Sequence, residues 1–131
     1  MPSRFVFKKC QVKKCCEENQ TEEFLVVLEK PEYVDESKPF VCNESRIFFD
    51  TKFVKFRCNG LIPRLIVSLK TLKLHDHVLH YTEACSAHTD YKIDQLVTPS
   101  SFDTNLDHVC APGVHYFLNA QEAVDYELVK F

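Results

Sequence analysis

The sequence predicts an α+β fold, mainly antiparallel β with a short C-terminal helix, in a single domain covering residues 1–131. The chain is 45% hydrophobic and 12% aromatic, which is enough to build one compact core from 131 residues. Most apolar residues recur with a period of two or in short runs bounded by charged or turn residues, as they do in strands. One segment near the C-terminus instead has the signals of a helix start.

The predicted strands follow one another along most of the chain. Segments 29–46 and 98–108 are polar and rich in turn residues, which predicts two long loops between strands. The run beginning at Val114 follows Ala111-Pro112-Gly113, a typical turn sequence. We expect strands at residues 5–7, 24–28, 47–49, 52–58, 65–72, 78–81, 91–93 and 114–118.

The predicted helix covers residues 120–128. Asn119 precedes it and can cap its first N–H groups, and Glu122 lies where the acid of a capping box is found. Ala123 and Leu128 fall close to one face. The chain shows no repeat or linker-like tract, so one domain is the simplest organisation.

Charge and glycine content exclude several classes of function. Sixteen Lys and Arg against 19 Asp and Glu give a formal net charge of -3, which disfavours nucleic-acid binding. Phosphate-cradling loops need several glycines close together, whereas this chain has only Gly60 and Gly113. No window approaches the apolar length of a membrane span, so we expect no membrane insertion. We predict no cofactor.

Seven cysteines are many for a chain of this length. The first residues lack the apolar stretch of a secretory signal, so we expect an intracellular protein with mostly free thiols. Residues 1–22 are interpreted as a basic and then acidic N-terminal arm. Lysines around Cys10, Cys15 and Cys16 would lower the pKa of these thiols and favour reactive or intermolecular cross-linking cysteines; the alternative is a solvated arm with ordinary thiols.

The histidines and cysteines also allow a zinc hypothesis. Cys85 and His88 form one close pair, and His108 and Cys110 form another about 20 residues later. The second pair has one intervening residue, where zinc knuckles have at least two, so satisfied or exposed side chains are the competing interpretation. We therefore predict no metal ligand.

A second cluster contains His75, Asp76, His77 and His80. Alternate residues of a strand share a face, which would place His75 and His77 together as a metal or acid–base pair. No nucleophile in a recognisable motif accompanies them, so a surface cluster at a strand end is the favoured interpretation and no catalytic residue is predicted.

Aromatic and basic residues near the N-terminus, together with two isolated aromatics, are the candidate contacts to a partner protein. Most of the eleven Phe are expected in the core or in cross-strand pairs. Phe102 in a polar loop and Phe131 at the terminus have no strand pattern to bury them and could anchor in a neighbour's groove. The predicted partner-binding residues are Phe5, Phe7, Lys8, Lys9, Cys10, Phe102 and Phe131.

The C-terminal third resembles a module found in uncharacterised proteins of large DNA viruses of eukaryotes. The resemblance lies in residues 89–128: Tyr91-Lys92-Ile93, the loop from Thr98-Pro99 to Phe102-Asp103, the segment 110–118 and the helix with Ala123 and Tyr126. Val114 and Tyr116 replace the usual Ile and Phe. The resemblance implies a viral protein of the virion, made in the host cytoplasm, and by analogy a minor capsid component that binds other viral structural proteins.

The same segment is also similar to the strand and helix of ADP-ribosyltransferase folds, which help to bind a nicotinamide cofactor. That resemblance implies a cofactor cleft lined by His80, Tyr81, His115, Tyr116 and Tyr126. The catalytic half is poorly matched, because only Glu127 follows Tyr126 as a candidate acid. An enzyme of this fold, or a degenerate relative, is the alternative to a structural role, and a zinc-stabilised interaction module is the third.

Overall fold

A computed structural model describes residues 4–13, 21–44, 55–82, 87–106 and 112–126 of the protein. These ranges contain mainly antiparallel strands and one short helix near the C-terminus, which confirms the predicted β-rich architecture. The elements are β1 (Phe5–Lys13), β2 (Thr21–Glu29), β3 (Tyr33–Asp35), β4 (Lys38–Pro39), β5 (Phe56–Cys58), β6 (Ile62–Ser68), β7 (Leu74–His75), β8 (His77–Thr82), β9 (Ala87–Lys92), β10 (Val114–Tyr116) and α1 (Ala120–Asp125).

The largest unit is a four-stranded sheet in the order β1-β2-β6-β7. β1 and β2 pair over their full length, from Phe5 opposite Glu29 to Lys13 opposite Thr21. β2 and β6 pair with a register shift at Val27/Leu28. The other described strands form three separate pairs, β3 with β4, β5 with β10 and β8 with β9. No helix in the described ranges is long and apolar enough to cross a membrane.

One face of the four-stranded sheet forms the centre of the core. Val6 and Cys10 of β1 lie opposite Leu28 and Phe24 of β2, and Ile66 of β6 continues the same face. All five side chains are buried. β5, β10 and the β8–β9 pair contribute further core residues, namely Phe56, Cys58, Val78, Tyr91, Val114 and Tyr116.

The outer edge of β1 is covered by two other parts of the chain. Phe7 and Phe117 exchange two backbone hydrogen bonds, of 2.8 and 2.7 Å. Further along, the Gln11 N–H donates to Nδ1 of the buried His80 at 3.0 Å. Residues 5–13 are therefore a paired strand inside the fold, which corrects their interpretation as part of an N-terminal arm.

Several elements differ from their predicted bounds for identifiable reasons. The predicted strand 65–72 ends at Ser68, because the Ser68 hydroxyl accepts hydrogen bonds from the N–H groups of Lys70 and Thr71 and turns the chain. Leu72 then has a φ of 60°, and β7 follows it. The predicted loop 29–46 contains the β3–β4 hairpin. The predicted strand 47–49 lies outside the described residues.

Helix α1 begins where the sequence predicts. The Asn119 side chain accepts hydrogen bonds from the N–H groups of Gln121 and Glu122, at 2.7 and 3.3 Å, which confirms it as the N-cap. The helix ends at Asp125, and its Ala123 is fully buried. Leu128, which was predicted to continue the apolar face, lies outside the described residues.

Candidate functional site

The face of the four-stranded sheet that points away from the core carries a continuous strip of apolar side chains, the outer strip. Successive residues of a strand point to opposite faces, so the residues between the buried ones lie on this side. Val27 is opposite both Phe7 and Leu65, and the next row joins Leu25, Val67 and Leu74. The outer strip consists of Phe7, Leu25, Val27, Leu65, Val67 and Leu74.

The outer strip is exposed most strongly toward β7. Leu74 is 70% exposed and Leu65 is 38% exposed, whereas Leu25, Val27 and Val67 are half-buried. Phe5, 44% exposed, extends the strip along β1. Contiguous exposed apolar surface is a common feature of interaction sites, which makes the outer strip the candidate functional surface of the described residues.

One end of the outer strip is bounded by a network of ion pairs. Glu29 binds Arg4 at 2.6 Å and Arg64 at 2.8 Å, and Arg64 also binds Asp94 at 2.5 Å. Hydrogen bonding by Arg64 lowers the pKa of Glu29 and so favours the charged form of this carboxylate. Each charged group in the network therefore has a partner within the chain.

The other end of the outer strip meets helix α1. Lys9 lies in the same cross-strand row as Leu25, and its Nζ binds Glu23 at 3.0 Å. The same Nζ donates to the carbonyl of Tyr126 at 2.9 Å, which places the C-terminal end of α1 at the β1 side of the strip. The ring of Tyr126 packs on Phe117, 5.2 Å between centroids.

The predicted partner-binding residues of β1 divide between the two faces of the sheet. Phe5, Phe7 and Lys9 belong to the outer face, although the Lys9 side chain is mostly buried by its ion pair and by α1. Lys8 and Cys10 alternate with them and point toward the core. The Lys8 Nζ donates to the carbonyl of His115 at 3.1 Å, so it joins β1 to β10.

The predicted reactivity of Cys10 is wrong. Cys10 is fully buried, and this burial raises the pKa of its thiol to about 12. The neighbouring Lys8 acts in the predicted direction, but desolvation is the larger effect, and it also lowers the pKa of Lys8 itself. Cys15 and Cys16, the other cysteines of this prediction, lie outside the described residues.

Phe102 contacts its own chain. Its ring centre lies 5.0 Å from the guanidinium carbon of the buried Arg57. Arg57 also donates to the carbonyls of Asp103 and Asn105, each at 2.6 Å, so the guanidinium holds this loop in place. Phe102 is thus half-buried against its own chain, and its contact with a partner stays a prediction. Phe131 lies outside the described residues.

The five residues of the ADP-ribosyltransferase hypothesis are distributed around β1. His80 accepts from the backbone of Gln11 at the outer edge of β1, whereas Tyr126 lies at the outer face. Tyr116 is fully buried, and its hydroxyl donates to Glu44 at 2.6 Å. An open surface cavity of about 480 Å³ is lined instead by Asp76, His77, Asp90, Lys92, Ile93 and Gln95. Tyr81 and His115 do not line it either.

His75 and His77 have different partners, and most of the zinc candidates lie outside the described residues. His75 packs edge-on against Phe24, 5.0 Å between ring centres, while His77 lies in the next strand and pairs with Asp76 at 2.9 Å. Within the described ranges, no group of three or more His, Cys, Asp or Glu residues is placed to hold a metal ion. Cys85, His108 and Cys110 lie outside these ranges, as does the side chain of His88.

Two features of the site were not identified from the sequence. The sequence did contain a pattern that indicates the outer strip, because the unbroken apolar run 24–28 of β2 is typical of a strand that is apolar on both faces. No sequence pattern indicates the contact of Glu44 with Tyr116 and Lys30, because these residues are far apart in the chain and lie in different elements.

The fold and the candidate surface define a small antiparallel β-rich protein with an exposed apolar sheet face. The chain belongs to a family of unknown function, DUF5758, whose profile matches residues 4–123. The matched range contains all the described strands and most of α1. Comparison with curated proteins gives no match, and comparison with solved structures gives none either.

Proposed function

We propose that this protein is a non-enzymatic interaction protein of a large eukaryotic DNA virus, a minor capsid component that binds another protein of the particle through the outer strip. The observation that carries the proposal is the exposed apolar face of the four-stranded sheet. The resemblance of residues 89–128 to a viral module supplies the setting, a virion assembled in the host cytoplasm. We class the chain as a single α+β domain, because α1 packs on β1 of the main sheet.

The charges around the outer strip favour a protein partner over a nucleic acid. Glu29, Arg64, Asp94 and Arg4 neutralise one another at one end, and Lys9 is paired with Glu23 at the other. Phosphate backbones are bound by arrays of unpaired cations, whereas the charges at these two ends of the strip are paired. An apolar centre with a paired polar rim is instead the usual composition of a protein–protein interface.

The same features define the chemistry of the partner. Its surface must be apolar and close to neutral, since a charged surface would lose its hydration against Leu65 and Val67 without gaining an opposite charge. It must also be broad and flat enough to lie on a sheet face. A β-sheet surface of another capsid protein meets both requirements, because sheets pack face to face through apolar side chains.

Binding to purified capsid proteins of the same virus tests the proposal. The variant Leu65→Asp places a charge in the centre of the outer strip, and we expect it to weaken binding at least tenfold in calorimetry. Leu79→Asp is the matched control, because Leu79 is 47% exposed but lies in β8, outside the four-stranded sheet. The control should bind as the wild-type chain does.

Two results would overturn the proposal. If the wild-type chain binds none of the capsid proteins, the minor capsid role is wrong. If light scattering shows a dimer of this chain that Leu65→Asp disrupts and Leu79→Asp does not, the strip is occupied by a second copy, and binding of another particle protein through it is wrong.

A further inference from the structure

Cys42 and Cys58 face each other across an antiparallel β-bridge. The Asn43 N–H donates to the carbonyl of Arg57, and the Asn59 N–H donates to the carbonyl of Val41, both at 3.2 Å. Because the hydrogen bonds come from the flanking residues, the two cysteines occupy a non-hydrogen-bonded pair. Cα atoms in such pairs are about 4.5 Å apart and the side chains lie on the same face. That separation falls within the range found in disulfides.

Two side-chain hydrogen bonds hold this bridge in register. Asn43 Oδ1 accepts from the Arg57 N–H at 2.8 Å, and Asn59 Oδ1 accepts from the Val41 N–H at 2.9 Å. The residue pair on each side of the two cysteines, 43 with 57 and 41 with 59, is therefore joined by one backbone and one side-chain hydrogen bond. This arrangement keeps the two cysteine side chains on the same face of the bridge.

The environments of the two thiols differ. Cys42 is half-buried, and its Sγ lies 3.5 Å from Oε2 of Glu44 as a donor. Cys58 is fully buried, with its Sγ 3.6 Å from the carbonyl of Gly60, and burial raises its pKa to about 12. Cys42 is thus the thiol that a molecule from solution reaches first, and Cys58 is the thiol that reacts second.

We propose that Cys42 and Cys58 form a redox-active dithiol site that takes a small-molecule disulfide of the glutathione type as its oxidant. In the first step the Cys42 thiol loses its proton, and the thiolate attacks one sulfur of the oxidised glutathione. The glutathione S–S bond breaks, and one glutathione leaves and takes up a proton. The site is independent of the outer strip.

The second step completes the exchange. Cys58 loses its proton and attacks the Cys42 sulfur of the mixed disulfide, so that a Cys42–Cys58 bond forms and a second protonated glutathione leaves. In total two protein thiols are oxidised, one disulfide is reduced, and the two protons end on the two glutathione thiols. The new bond closes the segment 43–57 into a loop.

Peptide mapping after equilibration with glutathione tests the site. The chain is incubated with reduced and oxidised glutathione in varied ratio, remaining thiols are alkylated, and peptides are identified by mass spectrometry. To simplify the map, the test uses a background in which Cys15, Cys16, Cys85 and Cys110 are replaced by Ser. We expect a linked Cys42–Cys58 peptide that dithiothreitol cleaves, and a rise in Tm of roughly 10 °C in the oxidised chain.

Variants of single cysteines show whether the effect belongs to this pair. Cys42→Ser should abolish both the linked peptide and the Tm rise, whereas Cys10→Ser should retain both, because Cys10 is fully buried in β1, outside the bridge. The proposal is overturned if Cys42 and Cys58 both remain alkylatable in oxidised glutathione, or if either links to Cys10 instead. The map of the parent background gives this result even if a variant fails to fold.

Discussion

The Tyr116 hydroxyl donates a 2.6 Å hydrogen bond to Oε2 of Glu44, and Lys30 Nζ forms an ion pair with the same oxygen. Tyr116 is fully buried in β10, so this contact fixes the segment after β4 to the core. Burial, reinforced by the contact with Glu44, raises the pKa of Tyr116 and keeps the hydroxyl protonated as a donor.

Removal of this hydroxyl should destabilise the protein. Tyr116→Phe removes the hydroxyl donor of a mostly buried carboxylate oxygen and leaves Lys30 and the weaker Cys42 thiol as its partners. We expect the free energy of unfolding to fall by about 1–3 kcal/mol, measured by urea denaturation. Tyr33→Phe is the control, because Tyr33 is 62% exposed in the β3–β4 hairpin, and it should change stability by less than about 0.5 kcal/mol. Equal effects of the two variants would contradict the structural role of the contact.

Arg57 should be intolerant of lysine. Its two terminal nitrogens reach the carbonyls of Asp103 and Asn105 at once, and its plane lies near the ring of Phe102. A lysine ammonium lacks this planar fork and cannot reproduce both contacts in the same geometry. We expect Arg57→Lys to cost about 2–4 kcal/mol of unfolding free energy and to speed proteolysis within residues 98–106.

The matched control for Arg57 is an exposed arginine. Arg64 binds Glu29 and Asp94 at the surface, where ion pairs contribute little to stability. Arg64→Lys should therefore cost less than about 1 kcal/mol. If Arg57→Lys is no more harmful than this variant, the buried guanidinium does not hold the loop.

Stability should fall above about pH 9. Burial raises the pKa of Cys10 and of Cys58 to about 12, against an ordinary value of 9.0 for an exposed thiol. The unfolded chain therefore releases these protons first, so each thiol reduces the unfolding free energy by about 1.4 kcal/mol per pH unit between these values. The lowered pKa of Lys8 acts in the opposite direction, but it is one group against two thiols and the buried Tyr91 and Tyr116.

Urea denaturation at pH 7.5 and pH 10 measures this dependence. Cys10→Ala should reduce the difference between the two pH values by about 1.4 kcal/mol, whatever its effect on stability at pH 7.5. An unchanged difference would mean that Cys10 titrates alike in the folded and unfolded chain, contrary to its burial.

Local signals predicted the parts of the fold that depend on neighbouring residues. Short apolar runs bounded by charged residues identified β1 and β2, and Asn119 identified the start of α1. The turn after Ser68 was not predicted, because it depends on one hydroxyl that accepts two backbone hydrogen bonds within a β-branched run. Propensity alone extends such a run to Leu72.

The candidate sites depend on contacts between distant residues, which explains why the sequence predicted them poorly. Phe5 and Phe7 were predicted as partner contacts because they are aromatic residues beside a basic segment, and the pairing of β1 places both on the outer face. Lys8 and Cys10 were included because they are basic or reactive in isolation, and only the pairing of β1 shows that they point inward. The Cys42–Cys58 bridge joins strands whose register no local pattern specifies.

The cap of α1 should be worth a large part of the stability of this short helix. With only six residues, α1 makes few internal hydrogen bonds, and two of its first N–H groups depend on the Asn119 side chain. We expect Asn119→Ala to lower the unfolding free energy by about 1 kcal/mol, and Asn119→Asp to retain most of it, because an aspartate also accepts from these N–H groups. The alanine variant should also speed hydrogen exchange at the N-terminal end of α1. Lys9 still holds the other end of the helix, because its Nζ donates to the carbonyl of Tyr126. Hydrogen-exchange mass spectrometry of the two variants measures this. Equal exchange in both would show that packing of Ala123, rather than the cap, holds the helix in place.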